Sequence, residues 1–115
     1  MTTATLPRSS TRGPCDFCDS ERAEWRHPCK PFAVVLYDGA LLHSDREWMA
    51  CKDCHAYIRV GNWRGLLDHS MSRLRAAHPR FRPLHEAMCR DEFSVMWSGF
   101  RQHRHGNPTR IGRSR

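Results

Sequence analysis

Two cysteine pairs carry the clearest chemical signal in this sequence. Cys15 and Cys18 form one Cys-x2-Cys motif, and Cys51 and Cys54 form a second one further along the chain. Each motif places two thiolates on one tight turn, so that two such turns can complete a tetrahedron around a metal ion. We therefore predict that these four residues bind one structural Zn²⁺ ion. Because four thiolates close the coordination shell, no position is left for a catalytic water.

Three other residues lie near this pattern without fitting it. Cys29 and Cys89 are isolated, which is typical of small buried side chains, and either becomes a ligand only if one of the four is displaced. His55 follows Cys54 directly, but helical geometry would turn its side chain away from that neighbour. We predict that none of the three is part of the metal site.

The residues between and after the two motifs predict an α+β fold in three successive parts. These are a zinc knuckle, which is the turn from Cys15 to Cys18, then a β-hairpin, then a helix. Phe32 to Tyr37 is the strongest strand signal, Asp38-Gly39 predicts the hairpin turn, and residues 40–43 return as the partner strand. After Cys54 the apolar period changes from 2 to 3.6, so the second cysteine pair is expected to open a helix. This order resembles a treble clef, whereas a zinc ribbon would place the second pair in another hairpin.

Two amphipathic helices are predicted to follow the short helix after Cys54, which ends at Gly61. Asn62 is a candidate N-cap for the second helix, and Pro83 fits the first turn of the third. Apolar residues recur at helical spacing in both, namely Trp63, Leu66, Leu67, Met71 and Leu74 in the second and Leu84, Met88, Phe93, Met96, Trp97 and Phe100 in the third.

Composition divides the chain into one domain and two arms. Residues 14–100 are predicted to form the zinc-organised domain, with a zinc module at 14–60 and a helical part at 61–100. Residues 1–13 and 101–115 are polar, basic and almost without large apolar side chains. Such segments cannot bury enough apolar surface to fold alone, so we predict two disordered arms.

The charge distribution suggests a polyanionic partner. The net charge is +7, and residues 101–115 contain five arginines and no acid, whereas residues 15–54 are acidic overall. Nucleic acid or a nucleic-acid machine such as the transcription apparatus fits this asymmetry. A compositional bias remains open as an explanation, because 17 of the 19 basic residues are arginine. The arginines predicted to contact phosphates are Arg73, Arg75, Arg80, Arg82, Arg101, Arg104, Arg110, Arg113 and Arg115.

Several classes of function have no support in the sequence. Residues 1–14 contain no apolar run, and no stretch approaches the roughly 18 apolar residues that cross a membrane, so we predict a cytoplasmic protein without a membrane partner. A phosphate-binding glycine loop, a serine nucleophile elbow and paired carboxylates are absent. We predict that the protein is not an enzyme and takes no small-molecule substrate.

Roughly residues 15–70 resemble small, largely uncharacterised four-cysteine zinc-binding proteins of GC-rich actinobacteria and their phages. The matching features are Cys15-x-Phe17-Cys18, Trp25, Pro28, Phe32, Trp48-x-Ala50-Cys51-x2-Cys54, Ile58, Gly61 and Gly65-Leu66. The resemblance implies a cysteine-liganded zinc in a compact α+β domain, and it implies no activity.

The run Cys51-x2-Cys54-His55 also resembles the closing motif of HNH endonucleases. That family needs a histidine base at the end of its first strand and an asparagine before the closing pair. With Phe32 to Tyr37 as the first strand, neither is present. The comparison therefore supports the fold and not nuclease chemistry.

An alternative function is a protein–protein interaction adaptor, encoded by a phage or its host and regulatory in role. In that hypothesis the third helix docks a partner through an apolar stripe, and the basic tail only keeps the protein in solution. The same stripe is core if the helix folds back on the domain. Its residues are Met88, Met96, Trp97 and Phe100.

Overall fold

A computed structural model of the chain describes residues 3–5, 13–19, 21–36 and 38–111. The fold is α+β, as predicted, and within those residues it contains six short strands and three helices. None of these helices is both long and apolar enough to cross a membrane. In chain order the elements are β1 (Thr3–Thr5), β2 (Trp25–His27), β3 (Phe32–Val35), β4 (Leu41–Ser44), β5 (Trp48–Ala50), α1 (Lys52–Arg59), α2 (Trp63–Ala77), α3 (Pro83–His103) and β6 (Thr109–Arg110).

The strands form two three-stranded sheets. In the first sheet, β3 and β4 pair as an antiparallel hairpin, and β1 lies parallel to β4 on its other side. In the second sheet, β2 lies between β5 and β6 and is antiparallel to both. Because β5 leads directly into α1, the β2–β5 pair, and not the predicted hairpin, frames the helix of the second cysteine pair.

The β3–β4 hairpin forms where the sequence predicted it, but with a wider turn. Leu36 and Ala40 flank the turn, since the Leu36 amide donates to the Ala40 carbonyl (2.7 Å) and the Gly39 amide donates to the Leu36 carbonyl (2.9 Å). Gly39 has a φ of +85°, a left-handed conformation that costs glycine little. Because β3 ends at Val35 and β4 begins at Leu41, the connection is longer than the predicted turn over Asp38-Gly39.

Local signals explain where the three helices begin. Cys51 is the N-cap of α1, and its sulfur accepts a hydrogen bond from the Cys54 amide (3.4 Å). Asn62 caps α2, as predicted, because its Oδ1 accepts a hydrogen bond from the Gly65 amide (2.9 Å). Pro83 begins α3, where its missing N–H costs no helical hydrogen bond.

Both arms are ordered where the structure describes them, in contrast to the prediction of disorder. Thr3–Thr5 forms β1, and α3 continues through the first three residues of the predicted tail. The remainder of the tail runs back along the domain, because the His105 amide donates to the Pro28 carbonyl (3.1 Å) and the Ile111 amide to the Glu24 carbonyl (2.9 Å). These are backbone hydrogen bonds, which a polar composition does not prevent. Residues 1–2, 6–12 and 112–115 of the predicted arms lie outside the described residues.

In the core, the cysteine-rich half of the chain packs against α3 around the ring of Phe17. The Phe17 ring centroid lies 5.2 Å from that of Trp48, 5.8 Å from that of Trp97 and 5.3 Å from that of Phe100. The third helix therefore folds back on the domain, and Trp97 and Phe100 are core residues, contrary to the adaptor hypothesis. Other buried apolar residues are Ala23, Phe32, Leu42, Met49, Ile58, Leu66 and Met71.

Gly99 allows α3 to approach β3 closely. A Cβ atom on Gly99 would lie 2.4 Å from Cε2 of Phe32 and 3.1 Å from Cγ1 of Val34. Overpacking of this kind costs about 1–3 kcal/mol, which exceeds the gain of about 1 kcal/mol in helix propensity. We expect Gly99→Ala to lower the free energy of unfolding by about 1 kcal/mol in urea denaturation. The exposed neighbour Ser98→Ala is the control, and a Gly99→Ala variant more stable than the parent would contradict this packing argument.

Candidate metal centre

The four predicted ligands come together at one buried point. The sulfur atoms of Cys15, Cys18, Cys51 and Cys54 all lie within 4.8 Å of one another. The Cys18 and Cys51 sulfurs are 3.8 Å apart. Around a tetrahedral ion with metal–sulfur bonds of about 2.3 Å, neighbouring sulfurs are separated by about 3.8 Å. The cluster therefore has the right size for one metal ion with four sulfur ligands.

The first cysteine pair lies on a tight turn that hydrogen bonds fix. The Cys15 amide donates to the Glu21 carbonyl (2.8 Å), and the Asp19 amide donates back to the Cys15 carbonyl (2.9 Å). The Phe17 amide donates to the Cys15 sulfur at 3.3 Å. Asp19 has a φ of +58°, and aspartate adopts this left-handed conformation more readily than most residues. The turn thus positions the two sulfurs relative to each other through hydrogen bonds of the backbone.

The second pair lies at the N-terminus of α1. Cys51 caps the helix, and Cys54 is in its first turn, where both are buried. The partial positive charge at a helix N-terminus stabilises thiolates, which are the form that binds metal. The Cys51 side chain therefore both caps α1 and contributes a sulfur to the cluster.

Without a cation, the four thiols cannot all ionise side by side. The hydrogen bond with Cys15, further thiol contacts and burial raise the pKa of Cys54, and the contact with Cys18 raises the pKa of Cys15. The pKa of Cys51 is lowered, chiefly by its hydrogen bond with Cys15. A divalent cation offsets the repulsion among thiolates, so metal binding here would release thiol protons.

A buried ion pair connects the first turn to β5. The Asp16 carboxylate accepts hydrogen bonds from the Met49 amide (2.7 Å) and from both terminal nitrogens of Arg46 (3.3 and 3.4 Å). The Asp16 amide donates in turn to the Met49 carbonyl (2.8 Å). The two charged side chains are only 12% and 5% exposed. This contact fixes the position of Cys15 and Cys18 relative to the strand that precedes Cys51.

The two isolated cysteines lie outside the metal cluster, as predicted. Cys29 is buried, and burial raises the pKa of its thiol to about 11. Its thiol donates to the Lys30 carbonyl (3.5 Å). Cys89 is half-buried on α3, and burial raises its pKa as well. Both thiols are therefore protonated near neutral pH and unreactive.

His55 turns away from the sulfurs, as predicted, and pairs with a histidine that the sequence analysis did not consider. Nδ1 of His55 lies 3.1 Å from Nε2 of His27, at the end of β2, and Trp25 stacks on His55 with ring centroids 3.9 Å apart. Burial, His55 and Arg104 lower the pKa of His27 to about 4, so that its imidazole is neutral at pH 7. No local sequence motif indicates this contact of His27, because it forms only when β2 pairs with β5.

The structure separates the arginines predicted to contact phosphate into three groups. Arg73, Arg75 and Arg110 form ion pairs with Glu21, Glu86 and Glu24. Arg80 and Arg82 are exposed near the turn between α2 and α3. Arg101 and Arg104 lie over Trp63, and Arg113 and Arg115 lie outside the described residues.

Trp63 is the centre of a basic surface. The guanidinium carbons of Arg101 and Arg104 lie 4.8 and 5.6 Å from its ring centroid. Trp63, Arg64 and Arg101 line a depression of about 240 Å³ between α2 and α3. In the described part of the chain, none of these three arginines forms an ion pair with a carboxylate, unlike Arg73 and Arg75. We call Trp63, Arg64, Arg101 and Arg104 the Trp63 surface.

The chain matches no known protein-family model, no curated protein sequence and no solved structure. The features of the structure that bear on its function are the cysteine cluster, the Trp63 surface and the histidine pair.

Proposed function

We propose that the chain is a treble-clef-like module, stabilised by one structural Zn²⁺ ion, that binds nucleic acid or a machine built on it. The order of turn, strands and a helix opened by the second cysteine pair supports the treble-clef assignment. Zinc is the ion that four thiolates at tetrahedral spacing favour. Metal analysis of the purified protein tests this part, and one zinc per chain is expected.

The Trp63 surface is the observation that favours nucleic acid. Arginines paired with carboxylates are already neutralised within the protein, whereas Arg101 and Arg104 are held against an indole ring and keep their charge. Stacking on an aromatic face leaves the guanidinium N–H groups free to donate to phosphate oxygens. We therefore assign the contacts with nucleic-acid phosphates to the Trp63 surface and not to Arg73, Arg75 and Arg110.

Neutralising two arginines of the Trp63 surface should weaken nucleic-acid binding and its dependence on salt. We expect Arg101→Gln/Arg104→Gln to reduce the magnitude of the slope of log K against log [salt] by about 2 for duplex DNA, since each phosphate contact contributes about 0.9. Fluorescence anisotropy of labelled duplex DNA and single-stranded RNA, at several salt concentrations, measures this.

The double variant Arg73→Gln/Arg75→Gln is the matched control, because it removes the same charge from arginines that form ion pairs. It should leave the slope nearly unchanged. Equal effects of the two double variants would mean that only net charge matters, and the Trp63 surface would lose its role. No binding of either polymer at low salt would refute the proposed function.

We further propose that the module is not an enzyme and acts in the reducing cytoplasm. All six cysteines lie in the described part of the chain and no disulfide joins them, which suits a reducing compartment. The His27–His55 pair offers the acid–base groups that hydrolysis would need, so the proposal is tested by incubating labelled DNA and RNA with the protein and Mg²⁺ or Mn²⁺. Cleavage that His27→Gln abolishes would overturn it.

A protein-interaction role remains the second candidate, through exposed residues of α3 that include Met88 from the predicted stripe. Leu84, Met88 and Val95 are 71%, 42% and 38% exposed on α3. An adaptor that docks a partner there would bind independently of salt and would tolerate Arg101→Gln/Arg104→Gln. The regulatory role in the adaptor hypothesis and the actinobacterial or phage origin that the sequence resemblance suggests stay expectations.

A further inference from the structure

A cavity of about 390 Å³ lies beside the Trp63 surface, between α1 and the chain segment that follows α3. Its polar wall consists of His27, His55, Arg59, Arg104 and His105. Arg104 belongs to this wall and also lies over Trp63, so this one side chain borders both the cavity and the Trp63 surface. We call this space the His27 cavity.

The wall of the His27 cavity carries positive charge and no acid. All five of its titratable residues are basic types, and the others that line it are apolar, glycine or proline. Two of these residues, Arg59 and Arg104, carry guanidinium groups and line the same space as the His27 and His55 rings. A cavity with two guanidinium groups at its rim attracts anions and repels cations.

The histidine pair adds a directed donor to these charges. His27 Nε2 and His55 Nδ1 share one hydrogen bond, which uses one nitrogen of each ring. A neutral imidazole has one N–H and one acceptor nitrogen, so whichever ring donates within the pair, its partner retains an N–H on its second nitrogen. That second nitrogen has no hydrogen-bond partner in the described part of the chain. The pair can thus offer one N–H to a ligand in either tautomer.

We propose that the His27 cavity binds a phosphate group of the nucleic-acid strand that lies on the Trp63 surface. Arg59 and Arg104 would neutralise the phosphate oxygens, and the outer N–H of the histidine pair would donate to one of them. This inference rests on the proposed function, because nucleic acid is the source of the phosphate. The residues of the cavity indicate only that it binds phosphate. The experiment therefore tests phosphate binding and nucleic-acid binding separately.

The test is a two-bond ¹H–¹⁵N correlation spectrum of the zinc-loaded full chain with ¹⁵N-labelled histidine, which reports the tautomer and hydrogen bonding of each imidazole. The probes are inorganic phosphate, a single-stranded oligonucleotide and the same oligonucleotide with a 5′-phosphate. We expect the ring nitrogens of His27 and His55 to shift with all three probes. Shifts restricted to the 5′-phosphorylated strand would place a strand end, and not an internal phosphate, in the cavity.

Arg59→Gln should weaken the affinity for inorganic phosphate about tenfold, because it removes one charged donor. Arg80→Gln, at an exposed position away from the cavity, should leave the affinity unchanged. If the strands bind in anisotropy but the His27 and His55 signals do not move, the inference is wrong and the proposed function stands. If inorganic phosphate shifts the signals but neither polymer binds, the proposed function is wrong and the phosphate does not come from a strand.

Discussion

Cys54→Ser is expected to abolish cooperative folding of the domain that contains the cysteine cluster. The variant loses one of four ligands, and with it the sulfur in the first turn of α1. A structural zinc site contributes about 10–16 kcal/mol in small domains, whereas a whole domain is stable by only about 5–15 kcal/mol. The core cannot compensate, because Phe17 reaches Trp97 and Phe100 only while the knuckle is held in place. Thermal unfolding followed by circular dichroism, with metal analysis of the same sample, measures the loss.

The matched control for Cys54→Ser is Cys89→Ser. Cys89 is half-buried on α3 and lies outside the cluster, so its replacement should change the thermal midpoint little and leave one metal per chain. Removal of the metal from the parent chain by a chelator should reproduce the Cys54→Ser result. A Cys54→Ser variant that keeps its unfolding transition without metal would show that the aromatic core folds unaided.

The parts of this molecule that could be predicted from sequence are those fixed over a few residues. The spacing within Cys15–Cys18 and Cys51–Cys54 identifies the metal cluster, because a Cys-x2-Cys turn aims both sulfurs whatever surrounds it. Asn62 and Pro83 likewise mark helix starts through contacts with the next turn. Gly39 indicates a turn, but the length of the loop between β3 and β4 depends on how these two strands pair.

The features that the sequence did not reveal depend on residues far apart in the chain. The segment after α3 is held by carbonyls of Pro28 and Glu24, which no composition argument identifies. Arg73 and Arg101 look alike in sequence, yet Arg73 pairs with Glu21 whereas Arg101 lies over the ring of Trp63. His27 has no local signal, because it meets His55 only where β2 pairs with β5. Each omission concerns a tertiary contact rather than a local preference.

Asp16→Ala is expected to lower the free energy of unfolding by about 3–5 kcal/mol, although the metal ligands are untouched. The change leaves the Arg46 guanidinium buried without its counter-ion and deprives the Met49 amide of its acceptor. Burial raises the pKa of Asp16, and the Met49 amide and Arg46 oppose this rise. Urea denaturation of the zinc-loaded protein measures the loss, and Glu47→Ala is the control, since the exposed pair of Glu47 with Arg26 is worth less than about 1 kcal/mol.

A double variant distinguishes the cost of an unpaired charge from the value of the ion pair itself. Asp16→Asn/Arg46→Met removes both charges and keeps an oxygen for the Met49 amide, so it should recover most of the stability that Asp16→Ala loses. The free-energy cost of desolvating the two charges roughly cancels the energy of their attraction. The ion pair would then contribute little to stability and would mainly set the position of the knuckle against β5. If the double variant is as unstable as Asp16→Ala, the ion pair itself stabilises the fold. If Asp16→Ala is as stable as Glu47→Ala, the knuckle is held by the metal alone.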